Sequence, residues 1–357
     1  MLPHVPEAIA IAGRLIGATH PPYVIAELSA NHMGDINRAF KMMEEAKAAG
    51  ADAVKLQTYT ADTITIAHDD PSFVIQGGLW DGRTLHDLYQ EAQTPWDWHP
   101  ALFAKGAELG LAVFSTPFDP TAIDLLESLN TPAYKVASFE LVDLPLIARM
   151  AATGKPMIMS TGMAGLGEIE EAVATARNNG CYDLILLHCV SGYPTPPADA
   201  NLRTLPHLAA AFGVQAGLSD HTMGVAVSVA AVALGATVIE KHVTLARADG
   251  GPDAAFSLEP AELAELVRGT RAAWEALGRV TYDVEASETG LRQFRRSLYA
   301  VADIAAGEVL TEAKVRSIRP GFGLKPKYLP DILGRTARRA IKRGEPMDWD
   351  MVSSKAG

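Results

Sequence analysis

The chain has 357 residues, 48% of them hydrophobic and 20% charged, with a formal net charge of −11. That length and apolar content exclude a mostly disordered chain and leave room for a barrel of about 250 residues plus a smaller module. The acidic balance argues against wrapping a nucleic-acid backbone, so any anionic ligand must be held by a few local cations. Cys181 and Cys189 have neither CxxC spacing nor a disulfide framework, which predicts reduced thiols. The opening stretch MLPHVPEAIAIAGR has no basic region before an apolar one, and the longest apolar run, 224–239, is broken by Ser228, Gly235 and Thr237. Neither a signal peptide nor a membrane span is therefore expected, and the chain reads as cytoplasmic.

The first predicted element is a hairpin in AIAIAGRLIGATHPP, turning at Gly13 and placed to plug the bottom of a barrel. Eight short apolar or β-branched runs follow, at 23–28, 53–58, 112–118, 133–138, 156–161, 184–189, 215–220 and 238–243. Amphipathic segments such as INRAFKMMEEAKAAG and EIEEAVATARNNG separate them, several closed by Gly or Asn as helix C-caps are. Eight strand–helix units in about 250 residues predict an α/β fold, a (β/α)8 TIM barrel. A doubly wound sheet is the alternative, but no glycine-rich turn follows the first strand. The connection from Tyr59 to Trp98 is longer than a βα loop needs and should shape a substrate pocket.

The barrel with its hairpin is assigned to 1–280, a polar linker to 281–294 and a small β-rich module to 295–357. Within the module, DIAAGEVLTEAKV and AIKRGEPMDWDMV align at an offset of 37 residues, matching Ile304 with Ile341, Gly307 with Gly344, Glu308 with Glu345 and Val315 with Val352. About 60 residues bury little core, so packing against the barrel or a partner subunit is expected.

Catalytic side chains of such barrels come from the C-terminal strand ends. Here those ends carry Glu27, Asn31 and His32; Lys55 and Gln57; Ser115 and Thr116; Lys135 and Ser138; Ser160 and Thr161; His188 and Ser191; Ser219 and His221; Glu240 and His242. Alternation along a strand puts Glu240 and His242 on one face and turns Lys241 outward. His221 and His242 end neighbouring strands about 5 Å apart, close enough to share one divalent ion such as Mn²⁺, Mg²⁺, Zn²⁺ or Fe²⁺. Glu27, Asp220 or Asp253 would add oxygen ligands or hydrogen-bond support. Lys55 and Lys135 admit two readings: a clamp on phosphate and carboxylate with Thr116, Ser138, Ser160 and Ser219, or a Schiff-base lysine. A purely structural alternative pairs them with Glu27 or Glu240.

The blocks IAELSANHMGD, AGADAVKLQTYTADTIT, FSTPFD, YKVASFE, KPMIMSTGM, GLSDHTMG, IEKHVTL, GGPDAAFSLEP and RSIRPGFGL, in this order, resemble the sialic acid synthase family over nearly the whole chain. AELSANH, LWDGRTLHDLY and TPWDWH are most similar to its pseudaminic acid branch. The C-terminal module resembles the antifreeze-like (SAF) domain of that family. The resemblance implies a transferase that condenses phosphoenolpyruvate with an amino sugar, here 2,4-diacetamido-2,4,6-trideoxy-altrose, and releases phosphate by carbon–oxygen cleavage. Legionaminic or N-acetylneuraminic acid synthesis is the nearest alternative, with a Schiff-base aldolase or a non-catalytic sugar-binding protein further off.

It implies metal ligation by His221 and His242, with Mn²⁺ the first expectation and Mg²⁺ or another divalent ion possible. It places phosphoenolpyruvate on Lys55, Thr116, Lys135, Ser138, Ser160, Ser191, Ser219 and His221, with Ser191 standing where the family has asparagine. Sugar contacts fall on Glu27, Asn31, Gln57, Tyr193, Asp253 and Arg319. Lys55, Lys135, His221 and His242 make up the rest of the catalytic set, with Glu27 and Glu240 competing for the acid–base role. Arg319 would reach a partner's site in a domain-swapped homodimer. Neither nucleic acid nor membrane is an expected partner.

Overall fold

The structure is a computed structural model and describes residues 5–354. Residues 1–4, which begin the stretch read for a signal peptide, and 355–357, which end the C-terminal module, lie outside the described residues. A hairpin of β1 (Ile9–Ile11) and β2 (Arg14–Ile16) comes first, with Ala12 and Gly13 both at positive φ in its turn. Eight parallel strands then close a barrel: β3 (Tyr23–Glu27), β4 (Ala53–Thr58), β5 (Ala112–Pro117), β6 (Tyr134–Val136), β7 (Met157–Ser160), β8 (Leu184–Cys189), β9 (Gln215–Asp220) and β10 (Val238–His242). The predicted (β/α)8 architecture is thus what forms.

Both faces of these strands are buried, as a parallel sheet requires, so they read as almost unbroken apolar runs until their last residues. One face packs outward on the helices: Val24, Ala26, Val54 and Leu56 share a cluster with Ala39, Met42 and Leu266. The alternate residues Tyr23, Ile25, Ala53, Phe114, Ile158, Ile185 and Val238 form a core with Ile9, Ile11 and Ile16, so the hairpin does fill one end of the barrel. Full burial of each of the Ile, Val and Phe side chains contributes about 1.5–3 kcal/mol. The same parity carries Glu27, Lys55, Thr116, Lys135, Ser160, Cys189, Ser219, Glu240 and His242 into the barrel at its other end.

Strand β6 is shorter than the predicted 133–138. Ser138 leaves the strand to open a 3₁₀ turn, 138–142, and its hydroxyl accepts the Gly162 N–H at 3.1 Å. The Tyr59–Trp98 connection folds into short helical turns and one helix, Leu85–Ala92, whose N-cap Thr84 accepts from Asp87 N–H at 3.1 Å. The run at 224–239 holds a buried-face helix of only Ala226–Ala233, and among the described residues no helix is long and apolar enough to cross a membrane.

The chain divides into two compact units after Gly278. The second has its own core around Leu298, Ile304, Leu310, Val315, Ile341 and Met347 and a short antiparallel pair, β11 (Ser297–Ala300) and β12 (Val315–Ile318). The 37-residue repeat is a hydrogen-bonded pseudo-symmetry. Ile304 and Ile341 exchange both backbone bonds at 2.9 Å, Ala337 N–H to Glu308 O (2.9 Å) is mirrored by Ala300 N–H to Glu345 O (3.0 Å), and Gly307 and Gly344 both turn at positive φ.

Candidate active site

The parallel register sets the polar strand ends side by side: Glu27 opposite Lys55, His242 opposite Glu27 and Glu240 opposite Ser219. At their centre two lysines and two glutamates interlock. Lys55 Nζ lies 2.7 Å from Glu27 Oε2 and 3.4 Å from Glu240 Oε1, and Lys135 Nζ lies 3.7 Å from Glu240 Oε1. Lys135 also donates to Ser160 Oγ at 2.7 Å, and Lys55 to Thr116 Oγ1 at 3.4 Å. All four charged groups are almost fully buried. The pairing considered as a structural alternative is therefore present, and it pre-positions both ammonium groups.

The charges are unequal in character. Burial disfavours the ammonium of Lys55, but Glu240 and Glu27 outweigh it and push it up to about 12. Burial holds Lys135 below the ordinary lysine range, with Glu240 opposing and Lys55 reinforcing the shift. Burial raises Glu27, whereas Glu240 is held low because Lys135, Lys55 and His221 together overcome its burial. Glu27 is thus the carboxyl nearer to exchanging a proton, and Glu240 a fixed anion.

His221 and His242 stand with ring centroids 5.3 Å apart, within an aromatic surround of Tyr193 and Phe256. His221 Nδ1 bonds Val190 O at 2.9 Å, so its Nε2 is free to accept a ligand. His242 Nδ1 is buried without a hydrogen-bond partner, 3.7 Å from Asp253 Oδ2. Burial, then the His221, Lys55 and Lys241 charges, hold His242 well below the usual range and keep it neutral. An orphaned neutral imidazole nitrogen beside a second imidazole fits a divalent cation. No group of three or more His, Cys, Asp or Glu set to hold a metal occurs among the described residues, so these two rings would supply the protein's ligands.

These groups open into a cavity of about 510 Å³, a usual size for small-molecule sites. Lys55, Gln57, Lys135, Ser138, Ser160, Ser219, His221, Glu240, His242, Tyr193 and Asp253 line it, whereas Glu27 and Thr116 are fully buried behind Lys55 and do not. The Tyr59–Trp98 insertion forms its apolar half through Ile64, Ile75, Trp80, Leu88 and Tyr89. Trp98 instead packs edge-on against His32.

Several predicted residues lie elsewhere or are occupied. Asn31 is fully buried and donates to Val243 O (2.7 Å) and Ser257 Oγ (2.8 Å), so it anchors a loop and is not part of the cavity wall. His32 bonds Gly34 N–H and Thr94 and, pushed down to about 4 by burial, is neutral. His188 bonds Ala200 O at 2.6 Å. Ser191 does not line the cavity, and its Oγ is buried without a hydrogen-bond partner. Gly162 makes room for this hydroxyl and that of Ser138, since a Cβ there would collide with both. Arg319 is exposed, in the second unit.

Asp220 has a structural role. It accepts from Lys241 Nζ (2.8 Å), Ser228 Oγ (2.6 Å) and Thr222 N–H (2.9 Å), tying β9, β10 and the following helix together. Lys241 does point out of the barrel, but into this buried pair and not to solvent. Asp220→Ala is expected to cost about 3–5 kcal/mol in urea unfolding, since it strands the buried Lys241 ammonium.

Residues that sequence reasoning overlooked include Cys189, Glu140 and Ser29. Ser29 bonds Gln57 Nε2 at 3.2 Å and the Asp253 carboxylate. A second cavity, about 490 Å³, lies around Arg14, Lys47 and Asp52. Its charges are matched internally, Arg14 to Asp52 at 3.2 Å and Lys47 to Gly110 O at 3.1 Å.

Residues 42–282 match the model of the NeuB family and residues 295–353 that of the SAF domain. The chain is 44% identical over 333 residues to the pseudaminic acid synthase of Helicobacter pylori, covering 93% of this chain and 98% of that protein. It is 43% identical over 325 residues to the pseudaminic acid synthase of Campylobacter jejuni, covering 91% and 95%. Its fold is similar to the crystal structure of N-acetylneuraminic acid synthetase from Leptospira borgpetersenii in complex with citrate, with TM-score 0.72 and 32% identity over 81% of this chain and 96% of that one. By its two domain matches, in one barrel and one SAF module, and by full-length identity to these synthases, the chain belongs to the NeuB family.

Proposed function

We propose that the protein is a pseudaminic acid synthase: it condenses phosphoenolpyruvate with 2,4-diacetamido-2,4,6-trideoxy-altrose and water to give pseudaminic acid and phosphate. The observation that carries this is the two-sided cavity, cationic and hydroxyl-rich around Lys55 and Lys135, apolar around Trp80 and Leu88. The first side suits a small dianion; the second suits a deoxy sugar with acetamido methyl groups. The 44% and 43% identities to pseudaminic acid synthases support that choice of sugar.

Lys55, Lys135, Thr116, Ser138, Ser160 and Ser219 hold the phosphate and carboxylate and stabilise the phosphate as it leaves. Carbon 3 of phosphoenolpyruvate attacks the sugar aldehyde, water adds at carbon 2, and the tetrahedral adduct loses phosphate with its bridging oxygen. Glu27, raised by burial, takes the proton of the attacking water. A divalent ion, Mn²⁺ foremost, held by His221 and His242, would polarise the aldehyde oxygen. The test is mass spectrometry of products from phosphoenolpyruvate carrying ¹⁸O in its bridging position: the label appears in phosphate if the reading is right and in water or the sugar acid if it is wrong.

The lowered pKa of Lys135 would also suit an imine. Its ammonium is already engaged by Ser160 and Glu240, so borohydride with substrate is expected to leave Lys135 and Lys55 unmodified in peptide mass analysis.

The active form is proposed to be a cytoplasmic domain-swapped homodimer. Phe139, Val142, Met163 and Leu166, on the segments that follow β6 and β7, are each more than half exposed, an apolar rim suited to a protein cover. With Arg319 of a partner completing the sugar site, Arg319→Ala is expected to raise the sugar KM about tenfold, as loss of one charged contact does. The phosphoenolpyruvate KM should stay within about twofold in the same steady-state measurements.

A further inference from the structure

Glu140 is a cavity carboxyl to which the reaction above gives no task. It lies in the 3₁₀ turn after β6, lines the cavity, and its Oε2 is buried without a hydrogen-bond partner. Glu240, the next such carboxyl, also has an unbonded oxygen, but its charge is matched by Lys55 and Lys135, and Asp253 accepts from Ser29, whereas Glu140 has neither a lysine nor a hydroxyl bonded to it among the described residues. A buried unmatched acceptor has lost its water without replacement, a cost removed when a ligand supplies the donor. Glu140 shares its wall with Leu88, Tyr89 and Phe139 from the apolar half. An acetamido group matches such a place, because it offers one N–H donor next to a methyl group that wants an apolar surface.

We propose that Glu140 is a specificity residue of the sugar site, its carboxylate accepting the N–H of the C4 acetamido group that separates a 2,4-diacetamido hexose from a 2-acetamido one. This rests on the functional reading above. The ionised form does the accepting. Burial pushes Glu140 up to about 7. Its own backbone N–H, Lys135 and Lys55 oppose that rise, and Asp143 adds to it. Tyr89 faces it from the helix Leu85–Ala92. The carboxyl is therefore neutral on the acid side of about pH 7, and recognition of the C4 amide weakens as pH falls through that value.

The experiment measures kcat and KM for both sugars in the wild type, Glu140→Ala and Glu140→Gln, between about pH 6 and 8.5. Glu140→Ala should raise the KM of the diacetamido sugar about tenfold and leave the 2-acetamido sugar and phosphoenolpyruvate within about twofold. Glu140→Gln keeps an acceptor and near-identical volume. It should restore only part of the affinity, because a neutral carbonyl is a weaker acceptor than a carboxylate, and it should abolish the acid-side fall in the preference for the diacetamido sugar. A merely structural carboxyl would affect both sugars alike and leave that pH dependence in place, and either result overturns the proposal. Glu140→Gln keeps the test open should Glu140→Ala not fold. Absence of wild-type turnover with phosphoenolpyruvate and every amino sugar overturns the functional reading together with this one. Normal wild-type turnover with unchanged variants overturns this one alone.

Discussion

His242→Ala is expected to lower kcat about a thousandfold or more, because, on the proposed ligation, it would remove a metal ligand and with it several kcal/mol of charge stabilisation at the aldehyde. Its melting temperature should fall only by what the lost packing against Phe256 costs. His242 Nδ1 has no hydrogen-bond partner, so removing the ring breaks no protein contact of that kind. His221→Ala should match it in kcat but cost more stability, about 0.5–1.5 kcal/mol, since it removes a hydrogen bond to Val190 O and leaves that carbonyl to Thr195 Oγ1 alone. Steady-state kinetics with added Mn²⁺, paired with thermal melts, checks both. Normal turnover in either variant contradicts ligation by this pair.

Lys55→Met is expected to abolish measurable phosphate release and to destabilise the fold by about 3–5 kcal/mol at neutral pH, for one reason. Lys55 is the cation that Glu27 and Glu240 share, and its loss leaves two buried carboxylates facing each other. The pH dependence of the deficit has a definite sign. Glu27 is already raised by burial, and without Lys55 it rises further, so the folded variant binds a proton that the unfolded chain lacks. Stability then falls with rising pH, and the deficit relative to wild type should shrink as pH drops from about 8 towards 5. Urea unfolding across that range reads it directly. A deficit that grows on acidification would show that the carboxylates were not repelling.

Much of this arrangement is legible in the chain because strand periodicity is a strong signal. Once 238–243 is read as a strand, alternation alone sends Glu240 and His242 inward and Lys241 outward, and the structure has them so. Register between neighbouring strands then brings His221 beside His242. What escaped depends on contacts between segments distant in sequence. Asn31 shares the loop of the first strand end with Ser29, yet Asn31 is consumed by Val243 and Ser257 whereas Ser29 reaches Asp253. No local pattern distinguishes the two. Glu140 was hidden because β6 ends early, at Val136, and a 3₁₀ turn re-aims the residues after it. Asp220 carries a charge that suggests chemistry, but its partner Lys241 is 21 residues away on the next strand.

The most direct measurement is kcat/KM for phosphate release from phosphoenolpyruvate with 2,4-diacetamido-2,4,6-trideoxy-altrose set against N-acetylmannosamine, with Mn²⁺ and with EDTA. The account predicts a preference of about a hundredfold or more for the diacetamido sugar, from one added polar contact and one matched apolar wall, and loss of that turnover in EDTA. Equal or greater use of N-acetylmannosamine, or undiminished turnover in the chelator, would contradict it.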